Sequence, residues 1–187
     1  MQNTGSNDAP ALVIGEWLDR MRALIRSLYT VDWGYPLGEN FIRNVNAEQS
    51  LVQKLFGSDI RLHHLVTYYQ LSDGLELPDV RNGLFIHRVD MIHRGILAGE
   101  PTEISGPGGG TVITFGSDGG GGRYAVRTGG EPEVLHLPVG RVKDSVFDGK
   151  RYPIRVLAQD FCGFLRIVEE DTSAFISLVR NWQYRLA

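Results

Sequence analysis

The sequence predicts an α+β domain, a mainly antiparallel sheet of about five or six strands flanked by N-terminal and C-terminal helices. Two observations predict it: apolar residues recur at helical spacing near both ends of the chain, and short β-forming runs separated by turn residues fill the middle. A length of 187 residues fits one domain spanning the whole chain, large enough to bury a core without disulfides.

Residues 1–9 are polar and expected to be disordered. From Pro10 to Tyr29, Val13, Trp17, Leu18, Met21, Leu24, Ile25 and Leu28 form one apolar stripe, so the segment reads as an amphipathic helix opened by Asp8 or Pro10. Thr30 to Asn44, with Gly34, Pro36 and Gly38, reads as loop. Asn46 and Gln49 resemble a capping box for a second helix that buries Leu51, Val52, Leu55 and Phe56 and closes at Gly57. Ser58 or Asp59 can cap a third, carrying Leu62, Leu65, Val66 and Tyr69 and left through Asp73-Gly74.

The period changes at Gly83. Leu84–Val89, Thr111–Phe115, Gly122–Thr128, Glu133–Leu137 and Tyr152–Leu157 read as strands, and the Gly- and Pro-rich stretch Gly99–Gly110 as an exposed loop between them. Asp160 can cap a helix burying Phe161, Phe164, Leu165 and Val168. Asp171 or Thr172 can start another that buries Phe175, Leu178, Val179 and Trp182.

The glycine run Gly119, Gly120, Gly121, Gly122 invites a phosphate-loop reading, which fails on context. A phosphate loop opens a helix, whose unpaired N–H groups meet the anion. Here the following residues, Arg123 to Thr128, alternate like a strand, and neither G-x-G-x-x-G nor Gly-Lys-Ser/Thr can be laid over the run. The glycines read instead as a hairpin turn after Asp118.

Composition excludes several classes. A net charge of -3 gives no general drive toward nucleic acid. No apolar run approaches the ~18 residues of a membrane span, and no basic-then-apolar leader opens the chain, so a cytoplasmic protein is expected. The single cysteine, Cys162, rules out an internal disulfide and reads as a buried, inert thiol.

No catalytic or metal set stands out. Adjacent His63 and His64 on a helix are expected to point about 100° apart, and His87 and His93 would lie ~20 Å apart on one strand. Ser72, Ser105, Ser117 and Ser145 sit in loops without a nucleophile elbow. No catalytic residue, cofactor or metal is assigned, and the chain is expected not to be an enzyme. Asp73, Glu76, Asp79 and Asp90 follow the third helix closely, and Asp118 could join them. Such an acidic patch can steer a basic partner, so Asp73, Glu76, Asp79 and Asp118 are the candidate contact residues.

Three segments together, "LHHLVTYYQLSDGLELPDVRNG" (Leu62–Gly83), "ITFGSDGGGGRYAV" (Ile113–Val126) and "VLAQDFCGFLRIV" (Val156–Val168), resemble in order and spacing the SUKH superfamily. That superfamily includes bacterial toxin-immunity proteins and fungal cell-wall assembly regulators. Phe115, Asp118, Gly119 to Gly122 and Tyr124 match its glycine-turn element, and Phe161, Phe164 and Leu165 match its last helical element. The resemblance implies a non-enzymatic domain that binds and neutralises a toxin domain, for which a nuclease is one candidate. Gly119 to Gly122 would then make the turn, with Tyr124, Phe161, Phe164 and Leu165 as structural residues. The alternatives are a regulatory or scaffolding module that binds a cellular protein and, more distantly, a small-ligand-binding protein or hydrolase using the Asp118 hairpin.

Overall fold

A computed structural model describes the backbone of residues 8–186 and the side chains of residues 10–179. Residues 1–7 and the Trp182 side chain lie outside the described residues. The first helix, α1 (Asp8–Leu28), buries Ile14, Trp17, Leu18, Met21, Ile25 and Leu28. Its stripe is rotated slightly from the expected one: Val13 is 51% exposed and Ile14 takes its place inside. The Trp17 indole donates to the Leu165 carbonyl at 2.7 Å, tying the first helix to the last.

Two of the expected caps differ. Helix α2 (Gln49–Phe56) has Glu48 at its N-cap with no side-chain bond, so the Asn46/Gln49 capping box does not form. Gln49 donates instead to the carbonyls of Ala47 and Tyr69. Asp59 accepts from the Arg61 amide to cap a single 3-10 turn, Ile60–Leu62, which leads into α3 (His63–Leu71). The chain leaves α3 through Gly74 at φ +119, where a Cβ would lie 2.6 Å from the Ile86 carbonyl oxygen.

The sheet has ten strands rather than five or six, because several are two-residue pairings too short for a periodic signal. They are β1 (Phe41–Ile42), β2 (Leu75–Leu77), β3 (Leu84–Ile86), β4 (Glu103–Ile104), β5 (Gly110–Ser117), β6 (Arg123–Arg127), β7 (Val134–Leu137), β8 (Val142–Lys143), β9 (Val146–Phe147) and β10 (Arg155–Ala158). The order β1-β2-β3-β5-β6-β7-β10 is antiparallel throughout. The start of β5 also pairs with β4, from which β9, parallel to β4, and then β8 continue as a flap. β1 and β4 thus lie inside stretches that read as loop.

Two helical expectations change as well. The strand expected over Leu84–Val89 stops at Ile86, and Val89–Leu97 forms α4, with Val89 and Ile92 buried and the Asp90–Arg94 pair at i,i+4. The last helix, α5 (Phe161–Leu186), is opened by Asp160, which accepts from the Gly163 amide, and it does not restart at Asp171 or Thr172. Thr172 is buried in mid-helix and donates to the Val168 carbonyl at 2.7 Å, so it needs no cap role. Phe175 and Val179 pack against the core, whereas Leu178 is 64% exposed.

The sheet separates two cores. Helices α1, α3 and α5 cover one face, where Phe115, Phe161 and Phe164 meet edge-on or stacked at 5.4–6.1 Å between ring centres. The flap covers part of the other face over Ile104, Val112, Ala125, Leu135, Leu137 and Phe147. Phe164 is 1% exposed and also packs on Tyr124, so Phe164→Ala should destabilise by about 3–5 kcal/mol, the usual cavity cost of a core Phe. Urea unfolding checks this; an unchanged midpoint contradicts it.

Candidate functional site

Strands β5 and β6 meet at the glycine turn, and one carboxylate organises it. Asp118 Oδ1 accepts from the Gly120 and Gly122 amides at 2.9 and 2.8 Å, while Oδ2 faces His136 Nε2 at 2.9 Å. Beyond it, Arg155 Nη2 lies 3.2 Å from His136 Nδ1. Partial burial works to raise the Asp118 carboxyl, but the His136 bond and the two amides outweigh it and hold it below the ordinary carboxylate value. Gly119 and Gly121 have positive φ. A Cβ on Gly119 would lie 2.1 Å from the Asn82 carbonyl oxygen, and one on Gly122 would meet both Asp118 and His136.

The acidic residues expected at a partner surface have other engagements. Asp73 is 2% exposed, so it is not a surface residue: it accepts from the Val89 amide at the start of α4 and lies 3.5 Å from Arg88. Glu76 pairs with Arg43, and Asp118 holds the turn. Asp79 makes no ion pair among the described residues; it accepts from the Asn40 side-chain amide and sits beside Gly38. Asp73 and Asp118 serve turns and caps, for which Asp has intrinsic preference.

Asp79 instead adjoins a feature that read only as loop. The segment after α1 folds back because Trp33 donates to the Leu28 carbonyl at 2.7 Å and stacks on Phe175 of α5 at 5.2 Å. Tyr35 lies 6.4 Å from Trp33, and Tyr29 donates to Gly38 O and accepts from Asn40 N. Tyr29 and Tyr35 are nonetheless 53% and 55% exposed, with Asp32 and Glu39 exposed around them and Leu178 three residues beyond Phe175. The signal in the sequence was Tyr29 at the end of the first helical stripe, followed by Trp33 and Tyr35 in a stretch free of core periodicity.

The second site is a cavity of about 350 Å³ on the flap side of the sheet, between α4 and the glycine turn. Its lining includes His87, Met91, Ile92, Ser117, Gly121 and Arg123. His87 Nε2 and Ser117 Oγ are 3.0 Å apart, and Arg123 pairs with Glu100 at 2.5 Å. Burial pushes the His87 imidazole below its ordinary value, against the opposing pull of Glu100 and Glu76. His87 and Ser117 are 30 residues apart, so only the β3–β5 pairing brings them together.

Other candidates are quieter. The His63 and His64 rings, expected to diverge, have centres 3.9 Å apart, and among the described residues no group of three or more His, Cys, Asp or Glu is placed to hold a metal ion. Cys162 is half-buried, and burial pushes its thiol up to about 11. Among the described residues no helix is long and apolar enough to cross a membrane. No protein-family model matches the chain, and no curated protein matches it.

Two predictions follow from the turn. Gly119→Ala should destabilise by roughly 2–3 kcal/mol through backbone strain and the clash with Asn82, while Gly120→Ala, whose Cβ has room, should stay within about 1 kcal/mol; equal unfolding midpoints contradict this. Because the Asp118 value is depressed on folding, its ionised form adds stability above the ordinary carboxylate range, lost as pH falls through the folded value. Asp118→Asn should therefore flatten the loss of stability below about pH 4, measured by unfolding at several pH values.

Proposed function

We propose that the protein is an immunity protein that binds and neutralises a bacterial toxin domain in the cytoplasm. The resemblance to the SUKH superfamily supports the class of function. The observation that carries the binding surface is the Tyr29–Glu39 segment: large aromatics held half in and half out by Trp33, with Asp32, Glu39 and Asp79 around them. Aromatics placed on a rigid support are the residues that dominate protein interfaces, and a rim of one charge sets the rate of encounter. An acidic rim selects a basic toxin, as a nuclease would be. Of the four acidic residues picked out in the sequence, Asp79 belongs to this surface, Glu76 and Asp118 are engaged elsewhere, and Asp73 is inside.

The test is co-expression with the C-terminal domain of a large secreted protein encoded beside this gene, followed by purification of the pair. Suppressed toxicity and a 1:1 complex are expected. Tyr35→Ala should weaken that complex at least tenfold, about 1.4 kcal/mol, and Asp32→Lys should mainly slow association and reduce its dependence on salt. A harmless neighbour together with stoichiometric capture of a housekeeping protein would replace this reading with the regulatory module.

A further inference from the structure

The cavity beside the glycine turn does not take part in the proposed surface and has its own chemistry. A serine becomes a nucleophile when a neutral imidazole lies within hydrogen-bond reach to take its proton, and His87 Nε2 is 3.0 Å from Ser117 Oγ. The pair is built into the sheet. The His87 amide donates to the Phe115 carbonyl, and its own carbonyl accepts from Tyr69 Oη at 2.8 Å, so the backbone of His87 is fixed on both sides. Ser117 lies opposite both Phe85 and Arg123 in the strand register. Cross-strand partners of this kind present their side chains on the same face, and both Ser117 and Arg123 line the cavity. The Arg123 guanidinium is paired there with Glu100, which lines the cavity too, and that carboxylate together with Glu76 opposes the effect of burial on His87. Met91 and Ile92 supply an apolar wall, and a volume of about 350 Å³ is at the small end for ligand sites.

We infer that Ser117 and His87 form a nucleophile–base pair and that the cavity takes small carboxylic esters, which acylate Ser117. Ser117 Oγ attacks the carbonyl carbon while His87 Nε2 accepts the hydroxyl proton. The C–O bond to the alcohol then breaks, and the alcohol leaves with the proton from His87. Water attacks the acyl–serine with His87 again taking a proton, the Oγ–acyl bond breaks as His87 returns that proton to Oγ, and the acid is released with Ser117 restored. Asp118, adjacent in sequence, has no part in this, since the turn amides and His136 occupy its oxygens.

A small alkyl fluorophosphonate tests the pair directly on the whole protein: Ser117 Oγ forms a bond to phosphorus, fluoride leaves, and the serine proton passes to His87. Intact mass and peptide mapping should show one adduct, on Ser117, absent from Ser117→Ala and formed at least tenfold more slowly in His87→Gln. p-Nitrophenyl acetate should give a burst of one nitrophenolate per chain. The labelling rate should be flat at pH 7–8 and fall only below the ordinary histidine value of about 6.5, because burial lowers that of His87. A hydrogen bond with a structural role alone would leave the rate without this pH dependence. If Ser117 remains unmodified in the wild-type protein, or if His87→Gln is labelled as fast, the inference is wrong. Peptide mapping of the wild type decides the matter even where a variant fails to fold. None of these readouts depends on a toxin partner, so this inference and the immunity reading fail separately.

Discussion

The arrangement depends on strand β5 being covered on both faces. Val112 and Thr114 point to the flap side, and Ile113 and Phe115 to the helices, as a period of two requires. Continued without interruption, that alternation would put Gly116 on the flap side and Ser117 among the helices. It does not continue: the register with β6 slips between Thr114 and Gly116, so that Gly116 opposes Tyr124 and Ser117 opposes Arg123. One extra residue in a strand re-aims every side chain after it. Gly116 is required there because a Cβ would lie 2.4 Å from the Phe85 carbonyl oxygen of β3. The slip therefore keeps Phe115 in the aromatic core and delivers Ser117 to the cavity.

The glycine turn inherits this geometry. Asp118 follows the re-aimed Ser117 and turns its carboxylate back over the Gly120 and Gly122 amides, which fixes the exit into β6. Its second oxygen reaches His136, and the Arg155 guanidinium, which can only donate, approaches the far ring nitrogen. The His136 ring is thus held between a carboxylate on one nitrogen and a guanidinium on the other. A turn residue in one hairpin thus orders β7 and the edge strand β10 beside it.

Much of the fold is legible in the sequence where burial is one-sided and periodic. The stripe from Trp17 to Leu28, the alternation Arg123–Arg127 and the cluster Phe161, Phe164 and Leu165 all encode their environment directly. Elements fixed by long-range pairing were not legible. β1 exists because Phe41 and Ile42 meet Glu76 and Leu75 more than 30 residues away, and nothing in two residues announces that. Helix α4 did carry a signal, Val89 and Ile92 with Asp90 and Arg94, but the apolar run Leu84–Ile86 before it masked the change of period. The candidate sites show the same division. Gly119 to Gly122 could be read as a turn from local chemistry, whereas the approach of His87 to Ser117 follows from strand register.

The acidic residues show why sequence clustering is a poor guide to a charged surface in this chain. Three of the 19 basic residues are lysines, and the rest are arginines, whose planar forks favour fixed carboxylate pairs. Arg43 on Glu76 and Arg88 between Asp73 and Asp90 absorb the negative charge that the linear sequence concentrates between residues 73 and 90. Asp32, Glu39 and Asp79, near the exposed tyrosines, are outside these pairs and make no ion pair among the described residues, a property they share with acids elsewhere such as Glu103, Glu131 and Glu170. What distinguishes Asp32, Glu39 and Asp79 is therefore their place beside exposed aromatics, where unpaired charge and anchoring side chains can act on one partner.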